Sequence, residues 1–361
     1  MGVAQRSRRW LVPVTAVAVV AGVGALGPVV ADASPKLPGI SAQDLLAKVQ
    51  TAKVDGLSGT VRSDTDLGLP ALPGVEGGNQ LTDLLSGEHT ARVAFASPDK
   101  ARVSVLDNMA ERVWTTDGKS AWAYDSSRRE AVKLTVPAHS AKPKAAPESY
   151  DPQAVAKQFL DAIDPTTKVD VSGTEKVAGR DAYKLRLVPK TDKTTVGSVT
   201  LAIDSKTWVP LEVTVMPRTG KDPAVQLGFS AVSFDVPAAS TFAFTPPKGV
   251  KVTEEKAPQT REVPKQVTPP KGVKPRTADS DRPTVIGKSW ESVAMVRGVE
   301  TTGNGPLDQL LLKAPTVQGS WGKGKIVTSK MVSALITDDG RVFIGLVTPD
   351  TLQAAAAKAP R

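Results

Sequence analysis

The stretch Gly197-Ser198-Val199-Thr200-Leu201-Ala202-Ile203-Asp204-Ser205-Lys206-Thr207-Trp208-Val209-Pro210-Leu211 decides the fold. Val199, Leu201 and Ile203 alternate with Thr200 and Ala202. Asp204-Ser205-Lys206 supply a tight turn, and Val209 and Leu211 begin a returning run. Apolar residues at a period of two, broken by turn formers, predict two paired strands with one face toward a core.

The same period extends outward on both sides. Val213/Val215, Val225/Leu227/Phe229 and a continuation at Val232/Phe234/Val236 follow the hairpin, and Val169/Val171 and Tyr183/Leu185/Leu187 precede it. Further upstream, Ala91/Val93/Phe95, Val103/Val105, Val113-Trp114, Trp122-Tyr124 and Val132/Leu134/Val136 form a second block of short strands. Ser97-Pro98-Asp99, Asp107-Asn108, Asp117-Gly118 and Asp125-Ser126-Ser127 are the turns between them.

Two helices punctuate the strands. Ser41 can cap a helix running to Lys53, with Asp44 three residues on and Leu45, Val49 and Ala52 at helical spacing. Asp151-Pro152 opens a second, with Val155, Phe159 and Ile163 as its apolar stripe and Pro165 as its end. A Gly/Pro-rich loop is expected over Leu67 to Gly78, a short helix over Gln80 to Leu85, and a Lys/Pro-rich break over Ala138 to Pro147. Helix, strands, helix, strands describe an α+β domain with one large antiparallel sheet over residues 34–252.

Residues 253–284 hold six prolines and almost no large apolar side chains, so they read as a linker. Periodicity returns in residues 285–361. Pro306 to Lys313 reads as helical, Ile326 to Ile336 and Val342 to Val347 as strands around Asp338-Asp339-Gly340, and Thr348-Pro349 opens an alanine-rich helix. A small C-terminal α+β module of this size is near the limit for an independent core, so docking on the first domain is expected to support it.

The N-terminus carries an export signal. Arg6, Arg8 and Arg9 precede an uncharged run from Leu11 to Val30, and Ala31-Asp32-Ala33 offers a small-x-small cleavage site. Such a run serves either as a signal peptide removed after Ala33 or as a retained anchor. Both outcomes place the rest of the chain outside the cytoplasm, in the envelope or secreted. Cysteine is absent, which closes lipidation at the cleavage point and disulfide bonding alike. Removing residues 1–33 takes three arginines and one aspartate from a net charge of +9 and leaves +7. That balance suits an anionic membrane or wall surface. Aromatics make up only 4%, and no basic stretch interleaves with stacking residues, so nucleic acid is not an expected partner.

Chemistry-bearing motifs are few. His89 and His139 are the only histidines, no metal-ligand spacing is present, and Gly-x-Ser-x-Gly, phosphate-loop and dinucleotide patterns are missing. Catalysis by Lys, Ser or carboxylate pairs stays open on sequence. The expectation is a protein that is not an enzyme and needs no cofactor.

The hairpin above matches a V-x-L-x-I-D-x-x-x-x-x-P-L pattern that includes Asp204 and Pro210. It is followed by a closing F-x-F-x-P-P-x-G at Phe242, Phe244, Pro246, Pro247 and Gly249. In these features residues 38–252 resemble the LolA/RseB superfamily. Val342 to Leu352 is also similar to the close of the small second domain of RseB-like members. The resemblance implies an incomplete β-barrel with helices across its open side and an apolar cavity suited to acyl chains. Trp114, Trp122, Leu201 and Phe229 are the expected wall residues. The function implied is a carrier or sensor of a lipid or acylated ligand. The first alternative is an RseB-like regulator that contacts a membrane-bound anti-sigma factor. The second is a structural envelope protein whose core is filled. A hairpin covering a sheet edge is the plain reading of the second module.

The export reading predicts that protein recovered from the envelope or medium begins at Ser34. N-terminal sequencing checks this, and an intact Arg6 to Arg9 would establish the anchor instead.

Overall fold

The computed structural model describes residues 34–68, 86–107, 110–135, 160, 161, 163, 165–256, 283–297 and 311–359. The expected leader at 1–33, most of the 67–78 loop, the short helix at 80–85, the break at 138–147 and the first turns of the 151–163 helix lie outside these residues.

Twelve strands form one sheet. The first six are β1 (Gly56–Asp66), β2 (Ser86–Ala96), β3 (Lys100–Asp107), β4 (Ala110–Thr116), β5 (Ser120–Asp125) and β6 (Glu130–Thr135). Five more follow as β7 (Thr167–Val177), β8 (Arg180–Pro189), β9 (Val196–Asp204), β10 (Pro210–Pro217) and β11 (Val225–Ser233). The last, β12 (Lys251–Lys256), pairs with β6. The order is β12-β6-β5-β4-β3-β2-β1-β11-β10-β9-β8-β7, so among the described residues β12 and β7 are the edges and the sheet does not close into a barrel. The large open sheet expected from the sequence is observed.

Two strands depart from the sequence reading. β1 carries no aliphatic alternation, because its buried positions after Val61 are Ser63 and Thr65, whose hydroxyls lie 3.4 Å apart. It is nonetheless central, between β2 and β11. β12 runs parallel to β6, and it carries the chain through Lys256, four residues into the stretch expected as linker. The chain reaches β6 by crossing from β11 over the sheet, so it arrives in the same direction as β6. Lys133–Glu254 at 3.0 Å and Lys251–Glu130 at 3.6 Å accompany this pairing on exposed side chains, where such contacts add little.

Helix α1 (Ala42–Thr51) starts as expected: the Asp44 amide donates to the Ser41 hydroxyl at 3.0 Å. Its buried residues Leu45, Leu46 and Ala47 pack on Tyr183, Leu185 and Ile203 of β8 and β9. Leu160, in the described part of the second helix, joins the same cluster. Helical cover thus lies over one limb of the sheet.

A second sheet has the order β13-β14-β18-β17-β16-β15. It comprises β13 (Thr284–Ile286), β14 (Val293–Val296), β15 (Thr316–Gly319), β16 (Gly322–Thr328), β17 (Ser333–Thr337) and β18 (Val342–Gly345). Helix α2 (Pro349–Lys358), capped by Thr348, buries Leu352, Ala355 and Ala356 against Val293, Leu335 and Phe343.

This module seats on strand ends of the large sheet rather than along an edge. Thr194 bridges Val347, and its hydroxyl donates to the Leu346 carbonyl at 2.6 Å. The Thr195 hydroxyl donates to the Met331 carbonyl, and Trp290 Nε1 donates to the Thr167 hydroxyl at 2.7 Å. Lys330 Nζ lies 3.0 Å from both the Asp66 carboxylate and the Pro223 carbonyl. Between these polar contacts Met331, only 1% exposed, packs with Val196 and Ala224 of the large sheet. Met331→Ala is therefore expected to cost about 2–4 kcal/mol and to separate the second sheet's unfolding from the first's. Urea denaturation should show an earlier transition, and an unshifted single transition would argue against this seam.

Candidate apolar binding face

Strand pairing assigns side chains to faces, since residues directly opposite in antiparallel strands point the same way. One row runs Leu201, Val213, Leu227, Ser63, His89 across β9, β10, β11, β1 and β2. Phe229, Val61, Ala91 and Val105 make the next row on that face. A third runs Val93, Val103, Trp114, Ala123, Val132 across β2 to β6. On the opposite face a row runs Ser58, Ala94, Arg102, Thr115, Trp122, Lys133.

Three of the four expected wall residues therefore share a face, and Trp122 does not. The β4–β5 hairpin pairs Trp114 with Ala123, which sends Trp122 to the other side. Of the three, Leu201 packs against the cluster beneath α1, and Phe229 is buried with Val61 in the centre of the sheet. Trp114 is 39% exposed, and its row neighbours Val103, Ala123 and Val132 are half-buried. One limb of this face is thus filled by a helix, and the other presents apolar side chains partly open to solvent.

The second face is strapped by the closing motif. Phe242, at the end of a 3-10 turn (Ala239–Phe242), is buried against Ala94 and Ala96, and its carbonyl accepts from the Thr115 hydroxyl at 3.0 Å. Phe244 sits between Trp122 and Tyr124, with ring centroids 5.5 and 5.4 Å away. Pro247 and Gly249 then turn the chain: the Val250 amide donates to the Pro247 carbonyl at 3.3 Å, and Gly249 takes φ +79°. Pro246 precedes this turn and is half-buried. The Phe-x-Phe-x-Pro-Pro-x-Gly run fixes the strap and delivers β12 to β6.

The hairpin motif is likewise structural. Asp204, 1% exposed, receives Arg180 Nε at 2.6 Å and Nη2 at 2.9 Å, together with the Lys206 amide and the Thr207 amide and hydroxyl. Burial pushes this carboxyl up, but the Arg180 and Thr207 hydrogen bonds outweigh it and hold the group below the usual carboxylate range. Pro210 opens β10 opposite Ile203, beside a bulge that displaces Leu211. Sequence reading passed over Trp208, which adopts φ +62°, stacks on Tyr183 at 6.1 Å and carries Lys48 Nζ 4.4 Å from its centre. A bulky residue in the left-handed region leaves no mark in a hydropathy pattern.

Among the described residues no group of His, Cys, Asp or Glu could hold a metal ion, and no helix is long and apolar enough to cross a membrane.

No family profile matches the chain, and no curated protein matches it in sequence. Solved structures do. The MucA/MucB complex of Pseudomonas aeruginosa aligns with 16% identity and a TM-score of 0.44 over 87% of this chain and 96% of the other. The LolA superfamily protein NE2245 of Nitrosomonas europaea aligns with 13% identity and a TM-score of 0.21, over 57% of this chain and 99% of its own. A putative outer membrane lipoprotein-sorting protein domain of Vibrio parahaemolyticus gives 10% and 0.21, over 53% of this chain and 91% of its own.

Asp204→Ala leaves Arg180 facing a lost partner. Because Arg180 still reaches solvent, the expected cost is at the low end for a broken buried pair, about 2–3 kcal/mol. The folded carboxyl is held below its unfolded value, so its stabilisation is complete above the unfolded range, near pH 4, and fades as pH falls through the folded value. Denaturation at pH 6 and pH 3 should show the gap between wild type and variant narrowing in acid. A gap that is constant with pH would contradict the assignment.

Proposed function

We propose that this chain is an extracytoplasmic, non-enzymatic protein that holds the apolar part of a lipid or acylated ligand against the β2–β6 limb, as carrier or sensor. The observation that carries this reading is the Val93–Val103–Trp114–Ala123–Val132 row, with Trp114 39% exposed on an otherwise half-buried apolar face. Covering that row with an acyl chain would return about 0.8 kcal/mol per buried methylene. An indole at the open part of such a face gives a flat apolar platform with one polar edge. The basic, apolar leader and the positive remainder of the chain support work at an anionic envelope surface. Absence of the common catalytic motifs supports binding over chemistry.

Trp114 is the residue to test, because Leu201 lies under α1 and its loss would disturb the core. Trp114→Asp puts a charge where solvent already reaches, so the fold should survive while affinity for a fluorescent fatty-acid probe falls at least about tenfold. Circular dichroism and probe titration on the same sample check both halves. Unchanged affinity in a folded variant would remove the ligand from this face. A wild-type protein that binds no acyl probe would leave the protein-contact reading, a regulator acting on a membrane-bound anti-sigma factor, or the filled structural core in its place.

A further inference from the structure

The strapped face carries a second site of different chemistry. A groove of about 540 Å³ lies between strands β1–β4 and the 3-10 turn of the strap. Its floor holds Ser58, Thr60 and Ser104, and Ser240 and Thr241 form the overhanging wall. Two guanidiniums and one carboxylate enter it: Arg92, Arg102 and Glu111.

Arg102 is set before any guest arrives. Its Nε donates to the Ser104 hydroxyl at 3.2 Å, and its Nη1 to the Thr241 and Ala243 carbonyls at 3.2 and 3.3 Å. These bonds hold the guanidinium plane in the groove through Nε and Nη1. Arg92, opposite Thr60 and Ser104 in strand register, is exposed, and among the described residues no carboxylate pairs with it. One fixed and one exposed guanidinium in the same groove suit an oxyanion, and the planar fork suits phosphate in particular. Glu111 would repel a bare anion but accepts from hydroxyls, as the Ser and Thr side chains both accept and donate. The groove has no aromatic lining residue to stack a sugar or base.

We infer that this groove binds a phosphate ester of a small polyol, with the phosphate between Arg92 and Arg102 and the free hydroxyls toward Glu111 and the serine and threonine hydroxyls. Phosphoglycerol is the smallest group with this chemistry, carried either by a lipid headgroup or by a free ester. The charged side chains of the site, Arg92, Arg102 and Glu111, stand on the opposite face from Trp114, so it does not depend on the acyl-binding reading.

Calorimetric titration of the purified protein with glycerol 3-phosphate at low ionic strength tests it. Saturable binding is expected, weakened about tenfold or more by Arg92→Ala, an exposed position where the fold should be unaffected. Glu111→Gln should narrow the preference for glycerol 3-phosphate over inorganic phosphate. Trp114→Asp should leave the titration unchanged, which separates this site from the apolar face. Retention on phosphatidylglycerol vesicles but not phosphatidylcholine vesicles, displaced by glycerol 3-phosphate, assigns a lipid headgroup. Binding of the free ester without vesicle retention assigns the free compound. No heat at millimolar ester, equal binding by Arg92→Ala, or inorganic phosphate binding as well as the ester would overturn the inference.

Discussion

All strand pairing between the two halves of the large sheet passes through β1. On one side stand β2 to β6 with β12, on the other β11 to β7, and β1 alone hydrogen-bonds to both. Its aliphatic side chains are only Leu57 and Val61, and this sparseness suits its position. Gly59 lies where the Phe229 ring and the Ala231 carbonyl approach, so that a Cβ there would collide with both. A bulge in β11 opposite Thr60/Val61 places Phe229 over that gap. Small and hydroxylated residues let the two meanders close on each other while the sheet bends.

The bend divides each face between covered and uncovered regions. On one face α1 buries the β7–β9 limb, and the β2–β6 limb keeps its apolar row half-open. On the other, the strap from Ala239 to Pro247 covers β2 to β5 and leaves a polar groove where it lifts from β1. Two chemically different surfaces therefore share the same strands. Val93 and Val103 face one way, and their neighbours Arg92 and Arg102 face the other. Period two does this without extra chain length.

Strand existence was legible because apolar alternation marks any strand with one buried face, and ten of the large sheet's twelve strands carry it or a short version of it. β1 was not, because its buried residues are Val, Ser and Thr rather than a run of aliphatics. β12 was not, because Lys251, Glu254, Glu255 and Lys256 read as solvated linker, and what makes them a strand is the distant β6 edge. The site was legible only in part. Trp114 and Trp122 look equivalent in sequence, each an indole in a short strand. Their faces depend on the pairing of Thr116 with Ala121 across the turn, and a one-residue slip there would put both indoles on one face. Register is a property of turn geometry, which hydropathy does not report. The strap motif was visible as a pattern, yet its role as cover for Trp122 required the crossing path to be known.

The second module gives the large sheet something its own strands lack. An open sheet leaves strand ends and inter-strand loops exposed to fraying. Here the loops before β9 and β11 and the end of β1 are held by the Ser329–Val332 turn and by the β18–α2 junction. Ser329 donates to the Leu67 carbonyl at 2.8 Å, Thr348 donates to the Lys193 carbonyl at 2.9 Å, and Met331 fills the space between. β1 is the strand that pairs with both halves, so these contacts fix the end of the strand on which the continuity of the sheet rests.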